Sequence, residues 1–502
     1  MGKKRILMMF GSALIISVLF GVLIWEIIQP VKTQKVQKMP EQNKLIREVS
    51  PEMPSGNEKS ASQDDQNTAD LYYGDQLFQQ SAAAVLKAET VLRGKGHTYY
   101  AAPSGADSND GTREKPFNTL DKAVSSLQKG DILYLTAGIY TEQLQLPDTL
   151  MGDPDHYITI AAAPGEKVIL DAQGQKEDAV IKVAGSSYLQ IQGLEIRNSG
   201  KSDACGILVK EGSNHLIISG NEIHRFALTQ NSQQSDLYGV GILLKADGEK
   251  RIHNVLIYNN FVQNCNSGER GCISAQGNLE NINVLTNQIY HIGGTGIQIS
   301  GSNSETDKSW KFPVHCLISQ NQIADCTSAA EGICAVSVSG GQHMKIASNS
   351  IAGCAGGIFL RANDNLAQEQ ETADITVTEN NIRNNLGYAV LVGGDNEKQG
   401  WVKDVRITAN NCQNDGSEDA VLSLLKCDGA VFSDNTFSNI HGKGLIVDSK
   451  MSSDFTRNIV FQKNIYGSGQ ADGNTEFLYL GIPYHDYETW IKAAGETEEI
   501  LK

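Results

Sequence analysis

The chain has 502 residues, a formal net charge of −16, 40% hydrophobic and 7% aromatic residues. That length suits one large elongated domain with accessory segments, and the acidic balance speaks against a nucleic-acid partner. Nine cysteines show no Cys-x-x-Cys or Cys/His spacing, and no Gly-rich phosphate loop, serine-nucleophile elbow or His-Glu-x-x-His motif is present, so the sequence lacks the signatures of those site classes.

Residues 3–5 are Lys-Lys-Arg, and Ile6 to Ile28 follow with Glu26 as the single charge. At about 1.5 Å per residue, a helix of that length crosses the ~30 Å hydrocarbon layer of a bilayer. The run is longer than a signal-peptide core and no Ala-x-Ala-like site follows it, so residues 1–28 are expected to form a basic cytoplasmic tip and an uncleaved single-span anchor. The basic cluster places the chain after residue 30 outside the cell, although Lys32, Lys35 and Lys38 dilute the charge asymmetry. Residues 29–70 are polar and charged with almost no aromatics, which predicts a disordered tether. Within 71–98, Leu77, Phe78, Ala82, Val85, Leu86 and Val91 fit a helix that serves as a stalk or packs on the first folded coil.

The folded domain starts at Tyr99. Its opening runs Tyr99-Tyr100-Ala-Ala-Pro-Ser-Gly-Ala-Asp-Ser-Asn-Asp110-Gly111-Thr112, continues through Lys115-Pro116-Phe117 to Thr119-Leu120-x-Lys122-Ala123-Val124, and then reads Gly130-Asp131-Ile-Leu-Tyr-Leu and Gly138-Ile-Tyr140-Thr-Glu. Over residues 99–145 this resembles the N-terminal module of bacterial right-handed β-helix proteins, including the family 9 pectate lyases; beyond that the likeness persists as coil pattern. The resemblance implies a substrate lying along one parallel sheet, with catalytic side chains pointing outward from mid-rod strands. Family 9 pectate lyases use a Lys with clustered Asp residues, a site that does not carry over here: the one adjacent Asp pair, Asp64-Asp65, is in the tether, and the coils near Lys245 offer just Asp236 and Glu269. A β-eliminating lyase often uses Ca²⁺ held by several acids, which makes Ca²⁺ the candidate cofactor. Physically, Thr119 to Leu127 reads as an amphipathic helix closing the first coil, Ile132 to Leu135 as the first strand, and Asp153-Pro154-Asp155-His156 as a turn.

From residue 218 a phrase recurs: apolar, two free positions, Asn, one free position, apolar. Its Asn residues are Asn221, Asn260, Asn287, Asn321, Asn349, Asn380, Asn410, Asn435 and Asn464, with Leu194 at the corresponding place in an earlier coil. Between them stands a small residue followed by alternating apolar positions, as in Gly206-Ile207-x-Val209, Gly241-Ile242-x-Leu244 and Gly296-Ile297-x-Ile299. Period two means strands, and a repeat too short to bury its own apolar face means a solenoid. Residues 99–483 are therefore expected to form an all-β domain, a right-handed parallel β-helix of about 11–12 coils ~4.8 Å apart. The Asn side chains should bond the amides above and below, at a turn whose left-handed geometry Asn tolerates. Residues 484–502, with Trp490 and Ile491, read as a C-terminal capping helix.

Cys265, Cys326 and Cys354 fall five residues after a ladder Asn, in the column that Phe226, Ile292 and Ile440 fill elsewhere. They read as inward packing residues, with a bridge between Cys326 and Cys354 as the alternative. His291 and His343 read as isolated.

With Ile207 and Val209 inward, the outward face of that sheet carries Leu208 and Lys210, Leu243 and Lys245, Ser274 and Gln276, Gln298 and Ser300, Ser337 and Ser339, Phe359 and Arg361, and Leu391 and Gly393. Insertions 226–239, 263–271, 301–313 and 362–373 are expected to overhang it. A polar middle (Ser274, Gln276, Gln298, Ser300, Ser337, Ser339) flanked by Lys210, Lys245 and Arg361 suits an anionic or hydroxyl-rich polysaccharide. The best catalytic set is Lys245 as base with Arg361 or Arg270 as carboxylate neutraliser. Glu269 and Asp236 are the nearest candidate Ca²⁺ ligands. Two functions fit: a membrane-tethered extracellular lyase or epimerase acting on a uronate polymer, and a non-catalytic cell-surface carbohydrate-binding scaffold.

Overall fold

A computed structural model describes residues 96–495 except 200–202, 228–237, 302–311, 329, 363–370, 394–399, 415–419, 440–444, 448–455, 469–476, 481 and 486. The anchor expected at 6–28, the tether at 29–70, the helix before residue 95 and the candidate ligand Asp236 lie outside the described residues. Among the described residues, no helix is long and apolar enough to cross a membrane.

Each coil carries three short strands on three faces. The first face stacks 13 strands, from Thr98–Ala101 and Ile132–Leu135 through Ser187–Gln192, Asn214–Ser219, Ile252–Tyr258 and Leu317–Ser319 to Thr456–Gln462, each parallel to the next. The second face starts directly after the ladder position, as in Glu222–Phe226 and Gln322–Cys326. The third is built from the small-residue phrase, as in Ala204–Lys210, Gly239–Ala246 and Val336–Ser339. Residues 263–271, expected as a loop over the groove, instead belong to one strand, Phe261–Gly277, that passes from the second face to the third. Its surplus residues are absorbed as register shifts between Cys265 and Gly268 and between Gly268 and Gly271.

Alternation fills the interior. Ile207, Val209, Ile242, Leu244, Ile297 and Ile299 are fully buried and join one hydrophobic cluster that runs from Ala101 to Ala494. At the N-terminal end, helix α1 (Leu120–Ser125) buries Leu120, Ala123 and Val124, and Thr119 caps it by accepting from the Lys122 amide. Asp107, from the opening Asp-Ser-Asn-Asp-Gly segment, accepts bonds from Asn118 N, Thr119 N and Thr119 Oγ1, so that segment has a structural use. At the other end, helix α2 (Tyr487–Ala494) inserts Trp490, and a short antiparallel pair, Phe477–Tyr479 with Ile482–Tyr484, closes the stack.

The Asn ladder forms as a continuous chain from Asn221 to Asn464. Asn260 is typical: its Oδ1 accepts from Asn221 N (3.1 Å) and Asn221 Nδ2 (3.0 Å), and its Nδ2 donates to Ile218 O (2.9 Å) and Asn287 Oδ1 (3.0 Å). The N-terminal end is closed by Leu194, whose backbone amide donates to Asn221 Oδ1. One expectation needs correcting. The left-handed residue of the turn is not the ladder Asn but the residue before it: Asn259, Thr286, Gln320, Ser348, Glu379, Ala409, Asp434 and Lys463 all have φ between 52° and 58°. Strain at those positions is tolerated because the buried amide bonds that follow fix the turn, so the side chain there is free to vary.

All nine cysteines are buried thiols. Cys265, Ile292 and Cys326 share one inward column, and Cys326 and Cys354 stand side by side unbridged, each other's nearness and burial pushing the Cys326 thiol well up. The Asp153–His156 turn is closed by mutual backbone bonds and by His156 Nδ1 on Asp153 Oδ1, which pulls the Asp153 carboxyl down to about 2. His291 and His343 are not isolated: they pair with Asp325 (3.4 Å) and Asp374 (2.7 Å).

Candidate functional site

The outward face of the third sheet has the register the alternation predicted. Lys210 lies beside Lys245, Lys245 beside Gln276, then Ser300, Ser339 and Arg361 in turn. The parallel column runs Leu208, Leu243, Ser274, Gln298, Ser337, Phe359. The two columns differ in access. Ser274 and Ser337 are buried, and the Ser274 hydroxyl accepts from Gln276 Nε2, so neither can meet a polymer directly. Leu208 and Leu243 cluster with Ala179, Cys205 and Val240 as an apolar floor. Gln276, Gln298, Ser300, Ser339 and Lys210 are half-buried and Lys245 is exposed.

At the N-terminal end of this track lies a groove of about 770 Å³. Lys210, Lys245, Lys250 and Arg270 line it, and so do five carboxylates: Asp178, Asp203, Glu211, Asp247 and Glu249. Three of these cations are paired: Lys245 with Asp247 (3.0 Å), Lys210 with Glu211 (3.2 Å) and Arg270 with Asp203 (3.1 Å). None of these five carboxylates is among the acids expected near Lys245, which were Glu269 and Asp236. Asp178 and Asp203 each immediately precede a third-face strand, at Asp-Ala-Val and Asp-Ala-Cys, and that placement at successive coils was the available signal. Tyr238 occupies the same place one coil later; its carbonyl accepts from Asp203 N, its ring covers Gly268, and it is 39% exposed beside the groove.

Three parts of the proposed catalytic set do not come together. Arg361 is four strand steps from Lys245, about 19 Å, too far to share one sugar unit. It lies over the Phe359 ring at 4.9 Å and against Gly332. Glu269 is exposed, points from the bulged part of its strand, and is not on the groove wall. Among the described residues no three acids or His/Cys side chains converge as a metal site, and the groove acids Asp203 and Asp247 already hold cations. Ca²⁺, which wants six to eight oxygens, therefore does not fit these residues. Arg270 does share the groove with Lys245.

A second charged cluster, on the second face, was missed. Arg197 pairs with Asp171 (3.0 Å) and Glu195 (2.8 Å), and Glu195 also meets Lys167 (2.7 Å) and His224 (3.3 Å). Burial pushes the Glu195 carboxyl up, but Lys167, His224 and Arg197 together bring it below its ordinary range. Its charges are taken up internally, which makes it a strut across three coils.

Residues 99–269 match the family described as Pel9A-like, right handed beta helix region, and residues 334–478 match Right handed beta helix region. The chain is a right-handed β-helix protein. This β-helix protein is 23% identical over 430 residues to the uncharacterized protein YwoF of Bacillus subtilis (strain 168), covering 81% of this chain and 88% of YwoF. It is 24% identical over 172 residues to pectate lyase PEL9 of Emericella nidulans, covering 32% of this chain and 37% of the lyase. A solved structure of GH136 lacto-N-biosidase from Eubacterium ramulus shares the β-helix fold at TM-score 0.51 and 15% identity, over 83% of this chain and 69% of that one.

Proposed function

We propose that this β-helix protein is held in a cell membrane by residues 6–28 and acts outside the cell on a polysaccharide laid along its third face. The observation that carries the reading is the in-register track Lys210–Lys245–Gln276–Ser300–Ser339, which opens at one end into the charged groove. Hydroxyls of a sugar chain pair with amides, hydroxyls and ionised side chains of both signs, and a half-exposed Tyr238 ring offers an apolar face to a sugar. The partial likeness to a pectate lyase supports a uronate-containing polymer. A uronate carboxylate would replace Asp203, which Arg270 meets through a single Nη1–Oδ1 contact, in an exchange that conserves charge.

If the reaction is β-elimination or epimerisation, a base must take the proton α to that carboxylate. Lys245 is exposed and its Nζ is already engaged by the Asp247 carboxylate at 3.0 Å, a placement suited to holding a ligand group. That observation favours the second reading, a non-catalytic carbohydrate-binding rod, in which Lys245 is a binding residue.

Calorimetric titration of the full-length protein in detergent with uronate oligosaccharides tests the site. Lys245→Ala and Arg270→Ala are each expected to weaken binding about fivefold at low salt, roughly 1 kcal/mol, and less at high salt, where exposed charges are screened. Arg361→Ala is expected to leave binding at the groove unchanged. Equal losses from all three variants would move the site down the rod, and no binding of any uronate or neutral polymer would overturn the reading. Incubation with the same polymers, followed in the near ultraviolet, separates the two versions: unsaturated products that vanish in Lys245→Ala identify a lyase, and binding without product or epimerised sugar identifies the scaffold.

A further inference from the structure

The first face holds a contrast that its own strands do not explain. Its outward column runs in register through Thr159, Gln190, Ile217, Leu256, Asn283 and Leu317, and then through Lys345, Thr376, Arg406, Val431 and Val460. The first six point away from the core and yet are 0–6% exposed; the next four are half-buried, and Val460 is 38% exposed. Outward residues on a bare sheet cannot be so dry. Ile217, Leu256 and Leu317, with Tyr157 and Leu285, form an apolar cluster separate from the core. Thr159 Oγ1, Gln190 Oε1 and Ser319 Oγ on the same stretch are buried without a hydrogen-bond partner among the described residues. The two described helices pack at the ends of the rod.

We propose that residues 71–94 cover this face as an amphipathic helix lying across its strands. Length and attachment point select this occupant. The covered stretch, from strand Ile158–Ala162 to Leu317–Ser319, is five strand steps, about 24 Å. From the strand where the described chain begins, Thr98–Ala101, to Leu317–Ser319 is seven steps, about 34 Å, and a helix of 24 residues is about 36 Å long. The segment joins the rod at that first strand, so a helix running back along the face ends where the dryness ends. Its apolar positions Leu77, Phe78, Ala82, Val85 and Leu86 supply the stripe to meet Ile217, Leu256 and Leu317. The span leaves the third face, and the groove on it, open.

Hydroxyl-radical footprinting of the full-length protein in detergent tests this. Phe78→Asp with Leu86→Asp is expected to raise labelling at Leu256, Leu285 and Leu317 several-fold while Val460 keeps its wild-type value; Gln80→Asp on the opposite helix face should change none of them. If the double variant labels the inward Ile257 as well, the rod itself has opened, and Leu86→Ala is then the deciding variant, with a graded rise confined to the first-face stretch. Unchanged labelling at Leu256 and Leu317 in the folded variants overturns the proposal. Labelling of the wild type that rises on dilution would name a second copy as the cover and overturn it too.

Discussion

Asn321→Leu is expected to lower the melting temperature steeply or to leave the rod folded only on one side of the substituted coil. The side chain is fully buried, and its Oδ1 accepts from both Asn287 N (2.9 Å) and Asn287 Nδ2 (3.0 Å). Leucine strands those two donors in a dry interior at about 1–3 kcal/mol each, and Val284 O loses its donor from Nδ2 as well. Because each coil rests on its neighbours, such a loss divides a solenoid instead of being shared across it. Differential scanning calorimetry and amide exchange on both sides of residue 321 would show it; melting within a degree of wild type would rule out the load the ladder is assigned. Asn321→Asp adds a pH signature. A carboxylate keeps the acceptor but sets a second oxygen against Val284 O and Asn349 Oδ1, so the folded protein favours the protonated acid and the folded pKa rises above the unfolded value near 3.9. Protonation is then the stabilising state: this variant should be least destabilised below about pH 4 and lose stability as pH climbs through the folded pKa.

The second large effect is at the C-terminal cap. Trp490 is fully buried, stacked on Phe477 at 4.8 Å and set edge-on to Tyr466 (5.0 Å) and Phe461 (5.6 Å). Trp490→Ala removes that plug at about 3–5 kcal/mol, a cost that falls on the last coils alone. Exchange should accelerate across Thr456–Gln462 and Phe477–Tyr479 and remain slow near Asn221. The bared strand edge should also pair with other chains, so light scattering should detect association that rises with concentration. A monomeric variant with protected terminal strands would show that Trp490 is not the cap.

The rod was legible because each coil repeats the same physical demand. Ile207 and Val209 alternate inward, and a buried Asn must find a partner, so two short phrases fixed strands, register and the outward columns. The turn geometry was hidden: once ladder bonds hold the backbone, Thr286, Glu379 and Lys463 all serve in the left-handed position, and no residue type announces it. The groove was half legible. Lys210 and Lys245 could be placed by register, whereas Arg270 was expected in an overhanging insertion; Asp203 finds Arg270 two coils away and Asp247 turns back on Lys245, pairings that depend on strand ends. Arg361 shows the opposite failure: a residue on the right face, displaced along the rod by a distance that a face assignment does not measure.

The ladder's joints are interchangeable, and that bears on how such a chain can change length. Asn287 presents Oδ1 to the coil before and Nδ2 to the coil after, and so do Asn321 and Asn349. Deleting residues 322–349, one repeat, would set Asn321 beneath Asn380 with every ladder bond remade in kind. Gene duplication or loss in whole repeats thus passes through no orphaned intermediate, whereas a gain or loss of one or two residues between ladder positions must be taken up in a turn or a bulge, as it is between Cys265 and Gly271.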